Sequence, residues 1–194
     1  IIWDSESGKK LHTLNYKPDG SPKADLEDAR FSYDGQILAA SNDGKLYMWS
    51  LKDVLSGNTT VKSIKMPHIK IRRLFFSTDN KFLVCCGSEG RFSVWDWSSR
   101  NFTTPIAMLT HANENTQGND RRVYNASISP DSKTIISSGF DGTLKKWDWN
   151  GKTFIKDITL ADFNSKEIWW SEFSQDGQYF LCCGRNRTVS IFET

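Results

Sequence analysis

The chain has 194 residues, 38% hydrophobic and 25% charged, a balance that excludes a disordered polymer and fits an ordinary globular protein. Twenty-five Lys and Arg against twenty-three Asp and Glu leave a formal charge of +2, so the surface as a whole is no polyanion binder and any basic site must be local. No apolar run approaches the roughly 18 residues of a membrane-spanning helix, and the opening Ile1-Ile2-Trp3-Asp4 carries neither a basic leader nor an initiator Met, so we read Ile1 as other than a natural N-terminus.

In chain order, the Trp3-Asp4 mark is followed by a weak strand over Lys10 to Leu14 and a long loop, Asn15 to Asp28. Then one pattern recurs in four segments, 29–50, 74–96, 126–148 and 171–193. Each opens on a short alternating strand that ends in a turn such as Ser32-Tyr33-Asp34-Gly35 or Ser174-Gln175-Asp176-Gly177, where Asp and Gly accept tight-turn backbone angles. A denser apolar strand comes next (LAAS, FLVCCG), then a second turn such as Phe140-Asp141-Gly142, then a strand alternating toward an aromatic residue. A weaker fourth strand, such as Thr153 to Ile158, completes the unit. The terminal aromatics fall at Trp3, Trp49, Trp95, Trp147 and Phe192, steps of 46, 46, 52 and 45 residues, and no helical period lies between them. Repeated strand-turn-strand units of this kind predict all-β meanders.

The four cysteines form two adjacent pairs, Cys85-Cys86 and Cys182-Cys183, each inside an apolar run. Neighbours on a strand point to opposite faces and cannot converge on one ion, and no C-x-x-C or nearby His supplies zinc spacing, so they read as small core residues. Buried free thiols fit a reducing compartment, which favours cytosol or nucleus. No cofactor or metal site is expected.

The S-x-D-G turn, an acid six residues before the aromatic (Asp43 to Trp49, Glu89 to Trp95, Asp141 to Trp147) and the Trp-Asp dipeptides at 3, 95 and 147 resemble the WD40 repeat over essentially the whole chain. Trp49 is followed by Ser50, the last unit ends Phe192-Glu193, and the Gly-His mark survives only as Pro67-His68 and Thr110-His111. The resemblance implies a β-propeller of four-stranded antiparallel blades, with a blade end over 1–14 and blades near 24–66, 69–110, 121–160 and 166–194. Seven blades make the commonest ring of that family, so the chain reads as an arc of about four blades with the remaining blades outside it. It also implies that His111, Asp141 and Trp147 form a buried structural network with Ser137 or Ser138, whereas His68 with Glu89 and Trp95 is a poorer match. Trp95, Asp43 and Trp49 take the corresponding structural places, and Trp97 and Trp149 read as packing residues.

No G-x-S-x-G, P-loop, dinucleotide fingerprint, H-E-x-x-H or calcium loop is present, so no catalytic residue is assigned. The resemblance instead directs attention to the face formed by the loops before each first strand and the turns between the second and third. Residues five before the turn Ser, or its equivalent, point there: Glu27, Arg72, Tyr124 and Trp169, flanked by Asp25, Lys70, Arg122 and Glu167 and by Asn42, Ser88, Phe140 and Arg185. Arg72, Arg122, Tyr124, Phe140, Trp169 and Arg185 form the candidate partner face, because aromatics with arginines are what interface anchors tend to be. Strand alternation requires one of Trp169 and Trp170 to face the sheet interior, with Trp169 the exposed member; Phe140 carries no evident packing demand. His111 to Arg122 reads as an enlarged loop on the same face. The leading function is a non-catalytic scaffold for other proteins in an intracellular assembly. The alternative is a recognition or autoinhibitory sensor domain of a larger signalling protein with a nucleotide-binding switch. Nucleic-acid binding through Lys70, Arg72, Arg73, Arg121, Arg122 and Arg185 is disfavoured by the near-neutral charge.

Overall fold

A computed structural model describes residues 1–16, 25–41, 43–112, 121–163 and 167–194. A two-stranded ribbon, β1 (Ile2–Trp3) and β2 (Lys10–His12), precedes three four-stranded antiparallel sheets and a three-stranded one. Blade one is β3 (Leu26–Phe31), β4 (Gln36–Ser41), β5 (Lys45–Ser50) and β6 (Lys62–Lys65); blade two is β7 (Ile71–Phe76), β8 (Phe82–Gly87), β9 (Arg91–Asp96) and β10 (Ala107–Thr110). Blade three is β11 (Val123–Ile128), β12 (Thr134–Gly139), β13 (Thr143–Trp149) and β14 (Phe154–Asp162), and blade four is β15 (Ile168–Phe173), β16 (Tyr179–Gly184) and β17 (Val189–Glu193). A five-residue helix, α1 (Leu51–Leu55), leaves blade one's third strand, capped by Ser50 and anchored by buried Val54. No described helix is long and apolar enough to cross a membrane.

The repeated S-x-D turn has a repeated cause. The serine hydroxyl donates to the aspartate two residues on, at 2.5 Å in Ser32–Asp34, 2.7 Å in Ser77–Asp79 and 2.6 Å in both Ser129–Asp131 and Ser174–Asp176. The same oxygen accepts the backbone N–H that opens the second strand, from Gln36, Phe82, Thr134 and Tyr179. The residue after each aspartate is left-handed: Gly35, Asn80, Ser132 and Gly177.

Successive blades stack face to face, first strands innermost. The forward face of blade two, Phe82, Val84, Cys86, Phe92 and Val94, is at most 7% exposed because Val123, Ala126, Ile135 and Trp147 of blade three cover it. The equivalent positions of blade four are Tyr179, Leu181, Cys183, Val189 and Ile191, and there Val189 and Ile191 are 67% and 69% exposed. At the other end Leu26 and Phe31 are likewise open, although β1 supplies Ile2 to the cluster around Ile37, Trp49 and Val54. The described residues therefore form an open arc of propeller blades. Cys85, Cys86 and Cys182 are buried in these faces and all four thiols are free; burial pushes the Cys182 thiol up to about 11.

Buried polar networks pin the outer loops of blades two and three. In blade three Trp147 Nε1–H donates to Ser137 Oγ at 2.7 Å, that hydroxyl donates to His111 Nδ1 at 2.7 Å, and His111 Nε2–H donates to Asp141 Oδ1 at 3.1 Å. Blade two, the poorer match by sequence, has an equally complete chain: Trp95 Nε1–H donates to Ser93 Oγ and Ser93 to His68 Nε2, each at 2.8 Å, while His68 Nδ1–H donates to Glu89. Its serine comes from the third strand, and the imidazole is turned over so that the longer Glu meets the other nitrogen. Blade one has Ala39 opposite Tyr47 at these positions, and among the described residues Trp49 Nε1 has no partner. Asp43 there accepts from the Lys45 backbone at 3.2 Å and pairs with its ammonium at 3.6 Å. Trp97 and Trp149 pack against Phe76 and Phe102, and against Phe82 and Phe154.

Candidate functional site

Every first strand carries an irregularity at its second residue. Val123 pairs with Gly139 and Asn125 with Ser138, leaving Tyr124 as the extra residue; the same shift isolates Glu27, Arg72 and Trp169. A bulge re-aims its unpaired side chain away from the alternating pattern, and here it turns all four onto one face of the arc. The requirement that one of the two tryptophans face the sheet interior fails for this reason. Trp169 is 49% exposed, and Trp170 turns inward toward the first strand of blade two, where its ring meets Phe75 at 6.2 Å and Arg73 at 5.7 Å.

A second repeated device sets the turn beside the bulge. In blades two to four the residue after the glycine that closes the second strand donates its N–H to the incoming loop: Ser88 to Lys70 at 3.2 Å, Phe140 to Arg122 at 2.9 Å and Arg185 to Glu167 at 2.8 Å. The loop backbone runs so close to the glycine that a Cβ on Gly184 would stand 2.0 Å from the Glu167 carbonyl, and one on Gly139 would stand 2.7 Å from that of Arg122. These contacts bring Arg122 beside Phe140 and Glu167 beside Arg185.

The side chains then close into one network across blades three and four. Glu167 is its hub: it accepts from Trp169 Nε1–H at 2.8 Å, from the Tyr124 hydroxyl at 3.1 Å and from Arg185 at 3.0 Å. Those donors, Trp169 foremost, hold its carboxyl below the ordinary glutamate value. Arg122 donates to Tyr124 Oη at 3.3 Å and lies over the Phe140 ring at 5.3 Å, while the Tyr124 and Phe140 rings are 6.3 Å apart. Burial raises the Tyr124 phenol. Five of the six residues of the predicted partner face thus share one cluster. Phe140 is half-buried, held by Tyr124 and Arg122, which corrects the expectation that it lacks packing neighbours. Arg72 stands apart, paired with Glu27 at 3.1 Å between blades one and two. Glu167, noted by sequence only as a flanking residue, organises the site; its offset gave its place but not its three donors. Asn42 and most of the loop from His111 to Arg122 lie outside the described residues.

A family model, the WD domain G-beta repeat, matches residues 8–50, 52–96, 112–148 and 159–193. The chain belongs to the WD40-repeat family. Among relatives of this WD40 chain, Protein HIR1 of Kluyveromyces lactis is 25% identical over 181 residues, covering 83% of the chain and 21% of that protein. Protein hir-1 of Neurospora crassa is 22% identical over 210 residues, covering 98% of the chain and 19% of that protein. The WD40 chain thus spans about a fifth of the length of these relatives. A chain in the crystal structure of the mitotic checkpoint complex matches the fold with a TM-score of 0.69 at 14% identity, over 87% of this chain and 49% of that one. In WD40 terms the cluster lies on the face that carries the loops before each first strand, where the bulged residues of successive blades meet.

Proposed function

We propose that the chain is a non-catalytic platform for protein interaction within an intracellular multi-subunit assembly, and that it receives a partner on the face built around Glu167. The convergence of Tyr124, Phe140 and Trp169 with Arg122 and Arg185 carries this reading. Aromatic rings and guanidinium groups on a rigid base lose little conformational entropy on contact, and such residues are the ones whose truncation costs most at interfaces. The acids and imidazoles of the same face engage in structural hydrogen bonds: Asp141 with His111 and Thr143, Glu89 with His68. Membership of the WD40 family supports the same reading.

The test is to capture partners from a lysate with the full chain and compare Phe140→Ala, Trp169→Ala and Trp147→Ala in both affinity and thermal unfolding. The first two weaken binding by about tenfold, equivalent to about 1.4 kcal/mol, with the unfolding midpoint nearly unchanged. Trp147→Ala costs about 3–5 kcal/mol of stability, the range for a buried aromatic truncated in a core. Binding untouched by Phe140→Ala and Trp169→Ala, or a loss of fold equal to that of Trp147→Ala, overturns the assignment.

A further inference from the structure

The charges of this face are unequal in their freedom. Each acid of blades two to four that points there is already held: Glu89 by His68, Asp141 by His111 and Thr143, Glu167 by three donors. The cations are held more loosely. Among the described residues no carboxylate lies within ion-pair distance of Arg122, whose contacts are the Tyr124 hydroxyl and the Phe140 ring. The Arg185 side chain is 69% exposed although it pairs with Glu167, which is only 13% exposed. Arg187, exposed in the same turn, adds a third positive charge. Solvent-facing positive charge therefore borders an aromatic patch whose carboxylate is largely covered.

We propose that this cluster takes an acidic peptide segment of a protein partner, with an apolar side chain seated on Phe140 and Trp169 and a carboxylate of the segment bridging Arg122 and Arg185. In the free protein Glu167 stands in for that carboxylate. The arrangement permits an exchange: when the partner's carboxylate takes Arg185, Glu167 keeps the Tyr124 and Trp169 hydrogen bonds, so no buried charge is stranded. A nucleic-acid backbone fits less well, because Glu167 lies at the centre of the cluster and repels a run of phosphates, and because the chain's charge is only +2. The inference rests on the proposed interaction face and adds the chemistry of its occupant.

The experiment uses the full chain and labelled synthetic peptides in which one leucine is flanked by glutamates and aspartates, by serines, or by lysines, with single-stranded DNA as a fourth probe, read by fluorescence anisotropy over a salt series. The acidic peptide binds best. Arg122→Glu and Arg185→Glu each weaken it about tenfold and flatten its salt dependence, since border charges act on encounter and on screened attraction. Glu167→Gln, which keeps an acceptor for Trp169 and Tyr124 but releases Arg185, strengthens acidic-peptide binding by about threefold, the scale of an exposed ion pair. Arg185→Gln gives the same direction as Arg185→Glu with less perturbation, and unchanged unfolding midpoints exclude a folding effect. Equal affinity for the acidic and lysine peptides, weaker binding by Glu167→Gln, no binding of any peptide, or tighter binding of DNA overturns the proposal. Serine-peptide binding that is lost in Phe140→Ala and untouched by Arg185→Glu overturns the acidic partner alone and leaves the interaction face standing.

Discussion

Ser93 and Ser137 perform the same task from opposite strands. Ser137 on β12 faces Lys145 on β13, and in blade two the equivalent cross-strand pair is Cys85 on β8 with Ser93 on β9, so the hydroxyl has moved across the ladder. From either place it accepts the tryptophan N–H and donates to the imidazole. Because the oxygen then approaches from another side, the histidine ring is reversed and Glu89 replaces the shorter Asp141.

Removing either serine strands two buried groups, the tryptophan N–H and a histidine nitrogen. Ser137→Ala and Ser93→Ala each cost about 1–3 kcal/mol, whereas Cys85→Ser, which adds a second hydroxyl where one already serves, leaves the blade-two network in place. Denaturant unfolding of the full chain measures this; a neutral Ser93→Ala would refute the equivalence.

Acid weakens the protein in two stages. Burial holds the His111 imidazole below its ordinary 6.5, so the unfolded chain binds that proton first, and stability that is whole above 6.5 declines as pH falls. Asp141 is lowered to about 2, largely through its bonds to His111 and Thr143 acting against its own burial. Its contribution is full above the ordinary carboxylate value of 3.8 and fades between there and about 2. Unfolding midpoints across pH record both stages, and Asp141→Asn reduces the lower one, to which Asp79, also lowered to about 2, contributes as well.

Arg187 holds a left-handed backbone, φ 62°, at the turn position where blades one to three have Gly44, Gly90 and Gly142. The left-handed penalty for a residue with Cβ is about 1–2 kcal/mol, offset by the extra unfolded entropy of glycine, about 0.5–1 kcal/mol. Arg187→Gly therefore stabilises by about 0.5–1 kcal/mol, visible as a raised thermal midpoint. A lowered midpoint would mean that the Arg187 side chain contributes more to the fold than its strained backbone costs.

The open face of blade four carries a stripe of exposed apolar side chains, Tyr179, Leu181, Val189 and Ile191. Produced by itself, this stretch of chain associates through Leu181, Val189 and Ile191. Leu181→Lys combined with Ile191→Lys lowers the sedimentation coefficient toward the monomer while leaving the unfolding midpoint near that of the parent. Sedimentation as a monomer before substitution would count against it.

The repeat, its strand order and its turn chemistry were legible in the sequence, because each depends on residues within one unit: Ser32 reaches Asp34 two residues on, and Trp147 lies six residues after Asp141. The offset that placed Tyr124 and Trp169 on one face was legible for the same reason. Tertiary structure decided what no local pattern records. The bulge that sends Trp169 outward and Trp170 inward depends on which residue of the first strand is left without a partner on its neighbour. Glu167 gathers Tyr124 from another blade, 43 residues away. Ser93 serves in place of Cys85 because the two face each other across a ladder, and spacing along a single strand cannot show which side of a pair supplies the hydroxyl.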